Sequence, residues 1–66
     1  MAAYSKGDRV ALAKSQYGSE IPVGAKGYVM RVYGLLTERY SVTFDDYAEG
    51  LEDLSTNELF KLPTAP

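Results

Sequence analysis

The sequence predicts an all-β domain in which five short strands, with one 3₁₀ turn near the C-terminus, close into a small barrel. Three observations carry this prediction. Glycine and proline divide the 66 residues into apolar segments long enough for a strand and too short for a stable helix. Residues 39–45 alternate apolar and polar side chains, as a strand with one buried face does. Closure would protect the edges that an open sheet of this size exposes.

The first strand and the loop after it are delimited by glycine and proline. Residues 8–14 alternate apolar with charged or small side chains and form the first strand. Residues 15–24 contain two glycines and a proline among polar residues, a composition typical of a long loop. Tyr17 and Ile21 are the apolar anchors of this loop. Because binding residues are often carried on loops, the segment is a candidate for contact with a partner.

The second and third strands differ in the regularity of their apolar pattern. Residues 27–33 are rich in β-branched and aromatic side chains and form the second strand. Val29 and Val32 are three positions apart, which breaks the two-residue period and predicts a β-bulge. Residues 39–45 keep the period and form the third strand.

The C-terminal part of the chain contains two short strands around a turn. Residues 49–54 follow an acidic turn and form the fourth strand. Ser55 and Glu58 have the spacing of a capping box, and the flanking leucines have the spacing of a hydrophobic staple. One turn of 3₁₀ helix is therefore predicted here. Residues 60–62 form the last strand.

A single domain accounts for the whole chain. A chain of this length buries only about 60% of the surface that its unfolded form exposes, which leaves no room for a second core. We assign residues 6–62 to the barrel. Residues 1–5 form a flexible N-terminal tail and residues 63–66 a flexible C-terminal tail.

Cysteine and histidine are both absent, which limits the chemistry of the domain. Disulfides, thiolate nucleophiles, the common zinc and iron–sulfur ligands and the usual general base are thereby excluded. The carboxylates of residues 45–53 lack the spacing of a calcium loop, and Gly24 and Gly27 do not fit a phosphate-binding loop. We predict that the protein is not an enzyme and uses no cofactor and no metal.

The distribution of charge and of apolar residues bears on location and partners. No apolar run approaches the roughly 20 residues of a membrane span, and the N-terminus lacks the hydrophobic stretch of a secretion signal. A cytoplasmic protein without a membrane partner is the expectation. Residues 1–39 hold six cations and three acids, whereas residues 40–66 hold six acids and one cation. The acidic half is either an ordinary solvated surface or a patch that meets a basic partner.

Two segments resemble known small barrels. Residues 6–10 (KGDRV) followed by residues 24–29 (GAKGYV) resemble the opening of SH3-like barrels, including KOW-type domains and the small barrel of nitrile hydratase beta subunits. Residues 40–46 (YSVTFDD), followed by Glu49 and the turn at 54–59, resemble the second half of a Tudor-type domain. The resemblance implies an SH3-like five-stranded barrel and is weak evidence for function, because many unrelated activities share this fold.

The Tudor-type resemblance implies an aromatic cage for a methylated lysine or arginine, held by cation–π attraction. Phe44 and Asp46 match the motif. Tyr47 stands where the family often has glycine, and Ala48 stands where an aromatic residue is expected. Candidates for the cage are Phe44, Asp46 and Tyr47. The alternative is that Phe44 belongs to the core and Asp46 to a turn.

The KOW-type resemblance implies an association with nucleic acid. Phosphate binding needs clustered cations, and aromatic rings can stack on bases. The candidates in this sequence are Arg9, Lys14, Lys26, Arg31 and Arg39, with Tyr28 or Tyr33 for stacking. The net charge of −2 disfavours this interpretation.

Six tyrosines in 66 residues indicate either a surface for another protein, because tyrosine offers a large contact area with few rotatable bonds, or rings that cap the open ends of a small core. We expect a non-enzymatic protein-binding module that acts as an accessory, assembly or regulatory subunit, with self-association left open. The candidate surface combines the long loop, the connection before the third strand and the acidic turn. Its residues are Tyr17, Ile21, Tyr33, Leu35, Leu36, Asp45, Asp46 and Tyr47.

Overall fold

The computed structural model describes residues 3–63, and its regular structure is one antiparallel sheet. The strands are β1 (Arg9–Leu12), β2 (Lys26–Tyr33), β3 (Arg39–Phe44), β4 (Leu51–Leu54) and β5 (Leu59–Lys61), with a 3₁₀ turn at Thr56–Glu58. The strand order across the sheet is β4-β3-β2-β1-β5. The all-β class, the five strands and the turn are confirmed.

Closure of this sheet into a barrel is not confirmed. β4 and β5 are the two edge strands, and within residues 3–63 each pairs with one neighbour only, β4 with β3 and β5 with β1. Within the same range, no helix is long and apolar enough to cross a membrane.

The core is formed by the inward-facing residues of all five strands and by two residues from outside the sheet. β3 shows the pattern most clearly, because every second residue is buried, as the predicted alternation requires. Within residues 3–63, the buried residues are all hydrophobic, and none is polar or charged. The cluster consists of Tyr4, Val10, Leu12, Ile21, Val29, Tyr40, Val42, Phe44, Leu54 and Leu59.

The pairing of β2 with β3 contains the predicted bulge. The register shifts between Val29 and Arg31, where the two-residue period of the sequence fails. At the start of the same pair, a Cβ atom on Gly27 would clash with the carbonyl oxygen of Thr43 and lie 3.0 Å from the Cα atom of Phe44. Glycine is needed there because the two backbones approach so closely.

The 3₁₀ turn carries the predicted capping box. The backbone N–H of Ser55 donates to the Glu58 carboxylate at 2.8 Å, and the Ser55 hydroxyl donates to the same oxygen at 2.9 Å. These hydrogen bonds, led by the one from the backbone, hold the pKa of Glu58 below its ordinary value. Leu54 and Leu59 are both in the core, as a hydrophobic staple requires.

Tyr4, which the sequence analysis assigned to the N-terminal tail, is part of the core. Its side chain is only 8% exposed, and its ring packs edge-on against Tyr40 at a centroid distance of 5.1 Å. Its hydroxyl lies within hydrogen-bond distance of the carbonyl oxygens of Leu59 (3.0 Å) and Thr56 (3.2 Å). The ring thus buries its apolar area while its polar end is satisfied. Residues 1–2 and 64–66 of the predicted tails lie outside the described residues.

Candidate protein-interaction surfaces

The structure divides the predicted surface into two, one at each end of β3. Residues 34–38 precede this strand and residues 45–50 follow it. Six residues of a β-strand separate its ends by about 17 Å. The β1–β2 loop ends beside the second of these connections, because the backbone N–H of Asp45 donates to the carbonyl of Lys26 at 2.9 Å. The long loop and the acidic turn are therefore neighbours, and Leu35 and Leu36 lie at the other end.

The first surface is a concave site that we call the loop groove. It has a volume of about 760 Å³ and is lined by residues 17–21 of the β1–β2 loop and residues 47–51 after β3. Tyr17 is fully exposed on one wall, and Tyr47 is 37% exposed on the other. Ile21 is buried in the core and attaches the first wall to the domain. The loop groove therefore brings together three of the predicted residues.

The lining of the loop groove carries charge of one sign. Glu20 lies on the first wall and Glu49 on the second, and the lining contains no lysine or arginine. Neither glutamate forms an ion pair with another residue of the described range. Asp46, which precedes Tyr47, is also exposed. Unpaired carboxylates on both walls of a concave site give it a negative potential.

Asp45, although predicted as a contact residue, is engaged within the domain. Both of its carboxylate oxygens accept hydrogen bonds from the guanidinium group of Arg9, each at 2.8 Å. The same guanidinium lies 4.4 Å from the centroid of the Tyr28 ring. The hydrogen bonding lowers the pKa of Asp45 and raises that of Arg9. This pair fastens the turn after β3 to β1, whereas the neighbouring Asp46 forms no ion pair with another residue of the described range.

The second surface is the leucine tip, which consists of Leu35 and Leu36 in the β2–β3 connection. Both side chains are as exposed as in an extended chain, at 103% and 99%. Gly34 begins the connection with a φ of +110°, and a Cβ atom on it would clash with the carbonyl oxygen of Thr37. The tight turn that presents the leucines therefore requires glycine at this position.

A second concave site, the tip groove, lies beside the leucine tip. It has a volume of about 590 Å³ and is lined by residues 36–38 and by Ser55, Thr56 and Asn57. Tyr33 supports this end of the domain, because its hydroxyl accepts a hydrogen bond of 2.7 Å from the backbone N–H of Asp53. Asp53 has a φ of +61°, a left-handed conformation that turns the edge strand β4.

The three cage candidates differ in their exposure. Phe44 is 4% exposed and belongs to the core, because the alternation in β3 turns it inward. Asp46 and Tyr47 remain at the surface, where both also line a shallow cleft with residues 22–26. The aromatic side chains that the loop groove offers are those of Tyr17 and Tyr47.

The five predicted nucleic-acid residues do not form a face of free cations. Arg9 is paired with Asp45, Arg31 with Glu52 at 3.8 Å and Arg39 with Asp53 at 3.6 Å. Lys14 lies in the β1–β2 loop, and Lys26 begins β2. The rings predicted to stack on bases each have a guanidinium group on them, Arg9 on Tyr28 and Arg31 on Tyr33 at 4.7 Å.

Some of the lining residues were not predicted from the sequence. Glu20 and Glu49 are single charges in two segments 29 positions apart, so no local pattern indicates that they face one groove. The same holds for Ser55, Thr56 and Asn57, which the capping box explains without any reference to Leu36. Within the described residues, no three or more acidic side chains are placed to hold a metal ion.

Comparison with known proteins adds no assignment. No protein-family model matches the chain, and no curated protein or solved structure is significantly similar to it. The likeness to SH3-like, KOW-type and Tudor-type domains therefore remains a resemblance of short segments and of strand number.

Proposed function

We propose that this protein is a non-enzymatic protein-binding module, an accessory, assembly or regulatory subunit that binds its partner in the loop groove. One observation carries the proposal: two tyrosines from separate segments face one groove whose charged side chains are all carboxylates. Tyrosine supplies contact area at low entropic cost, and carboxylates select a partner of opposite charge. The expected ligand is a segment of another protein that carries lysine or arginine beside an apolar residue.

The anchoring of the groove also supports this function. Ile21 holds one wall in the core, and the Arg9–Asp45 pair holds the turn from which the other wall continues. A partner would therefore spend little of its interaction energy on ordering these loops. The low cost matters because a small groove provides only a small contact area.

The test is selection of binding peptides from a random library by the immobilised domain, followed by calorimetric titration of the selected peptides. We expect enrichment of lysine and arginine, and a loss of affinity of roughly tenfold or more for Tyr17→Ala and for Tyr47→Ala. Leu35→Ala is the matched control, because it removes an exposed apolar side chain at the other end of β3. Selected peptides that bind all three variants equally, or that are rich in acidic residues, would contradict the proposal.

A cationic side chain held between the two tyrosines is the second candidate function. It is favoured by the exposure of both rings beside Glu20 and Glu49, and the burial of Phe44 counts against a cage that uses that residue. Titration with matched peptides that differ only in lysine methylation distinguishes the two functions. A preference for the methylated peptide that is lost in Tyr47→Ala supports the cage, whereas equal binding supports a general basic segment.

Recognition of nucleic acid is the less favoured alternative, because three of the five cations that would contact phosphate are paired with carboxylates. Titration with mixed DNA and RNA at low and at physiological salt tests it. Binding that weakens steeply with salt would support phosphate contacts. Absence of binding at low salt would remove this alternative.

A further inference from the structure

We infer that the leucine tip and the tip groove together form a self-association surface, through which two copies of this chain make a weak two-fold dimer. The inference does not rest on the proposed function, because it uses the other end of β3. Its starting point is the full exposure of Leu35 and Leu36, which places two large apolar side chains in water with no cover from their own domain.

The shape of this end favours a second copy as the occupant. In a two-fold contact each copy offers the same patch, so the patch needs both a protrusion and a recess. Leu35 protrudes, and the tip groove of about 590 Å³ begins at the adjacent Leu36. In the proposed dimer, Leu35 of each copy enters the tip groove of the other and packs on Leu36 and Thr56.

The charges near the tip support the same occupant. Arg31 and Arg39 lie on the two strands that the connection joins, and their carboxylate partners Glu52 and Asp53 lie on β4. Glu38 lines the tip groove itself. The distances within the pairs, 3.8 Å and 3.6 Å, are long and the groups are exposed, so the pairs can exchange partners between copies. Glu38, Arg39 and Asp53 give this end charges of both signs, so a second copy related by a two-fold axis can place unlike charges opposite each other.

The contact area limits the strength of this dimer. A stable interface takes about 800 Å² from each partner, which is a large share of the 4660 Å² surface described here. The tip and its groove comprise only residues 35–38 and 55–57, whereas a standard interface uses about 20–30 residues from each partner. We therefore expect reversible association with a dissociation constant between about 10 µM and about 1 mM.

Sedimentation equilibrium tests the inference across that concentration range. As the concentration increases, the apparent molar mass of the wild-type protein should rise from that of a monomer toward that of a dimer. Leu35→Ser should dimerise more weakly, with a dissociation constant raised by about tenfold or more. Tyr17→Ser is the matched control, because it removes a fully exposed apolar side chain at the other end of β3 and should dimerise like the wild type.

Amide NMR shifts recorded at several protein concentrations locate the contact and report folding in the same spectra. We expect concentration-dependent shifts at residues 34–38 and 55–57 and none at residues 17–21. The inference is overturned if the wild type is a monomer at about 1 mM, if Leu35→Ser dimerises as well as the wild type, or if the shifts map to the loop groove. Peptide binding by Leu35→Ser at the loop groove should be unchanged, so the two proposals can fail separately.

Discussion

The two ends of β3 both expose apolar side chains, and they do so in opposite ways. The loop groove is concave, its free charges are all negative, and both of its walls are fastened to the domain by Ile21 or by the Arg9–Asp45 pair. The leucine tip is a protrusion with a groove beside it and charges of both signs nearby. From this difference we propose that the first end binds a basic segment of another protein and that the second binds a second copy of this chain.

The largest effect on this comparison is expected from Tyr4→Ala. Tyr4 packs on Tyr40 near the tip end of β3 and is hydrogen-bonded across to Thr56 and Leu59. Loss of a buried aromatic ring should lower the free energy of unfolding by about 3 kcal/mol, measured by urea denaturation. Tyr4→Phe is the control, because it keeps the ring and should cost about 1 kcal/mol for the lost hydrogen bonding. An unchanged urea midpoint for Tyr4→Ala would show that Tyr4 does not contribute to the stability of the core.

The next largest effect is expected from Ile21→Ala, which acts on the other end. Removing the buried anchor of the β1–β2 loop should lower the free energy of unfolding by about 2 kcal/mol. It should also weaken peptide binding at the loop groove and leave dimerisation intact, since the tip does not contain this loop. Val23→Ala is the matched control in the same loop, because that side chain is exposed. Equal peptide affinity for both variants would show that binding at the loop groove does not depend on Ile21.

The smallest effect is expected from Glu58→Ala, which removes a link between the two ends. Glu58 caps the turn beside the tip groove and also accepts a hydrogen bond of 2.7 Å from Gln16 in the β1–β2 loop. The substitution should cost about 1 kcal/mol at neutral pH, the usual cost of a lost cap, measured by urea denaturation.

The pH dependence of this effect has a defined sign. Because folding lowers the pKa of Glu58, its contribution is complete above the ordinary carboxyl pKa and is lost as the pH falls through the folded-state value. The difference between wild type and Glu58→Ala should therefore shrink below about pH 4. The stability difference between wild type and Asp45→Asn should also shrink as the pH falls, because folding lowers the pKa of Asp45 as well. A difference that grows on acidification would contradict this account of Glu58.

Local patterns in the sequence predicted most of the fold. The alternation in β3, the irregular spacing around the β2 bulge and the capping box of Ser55 and Glu58 each depend on residues within a few positions of one another, and each is confirmed. The strand boundaries shift by one or two residues, because hydrogen bonding to neighbouring strands sets the ends of a strand. β5, for example, begins at Leu59 rather than at residue 60.

The candidate sites were less predictable, because they depend on contacts between distant residues. Tyr17 and Tyr47 are both exposed, but their position across one groove follows from the path of two loops. The sequence does not distinguish the carboxylate of Asp45 from that of Asp46, because the hydrogen bonds that engage Asp45 come from Arg9, 36 positions away. The inward orientation of Phe44 follows from the alternation in β3, and the sequence left it open as the alternative to a cage.

By itself, the sequence determined the all-β class, the number of strands, the turn and the lack of cysteine and histidine chemistry. Those properties depend on composition and on short-range periodicity, which are contained in the sequence itself. Only the tertiary structure decided that Tyr4 belongs to the core, and that the apolar residues predicted to contact a partner lie at two ends of the molecule rather than on one surface. The physical reason is that strand pairing sets which loops meet at each end of a sheet.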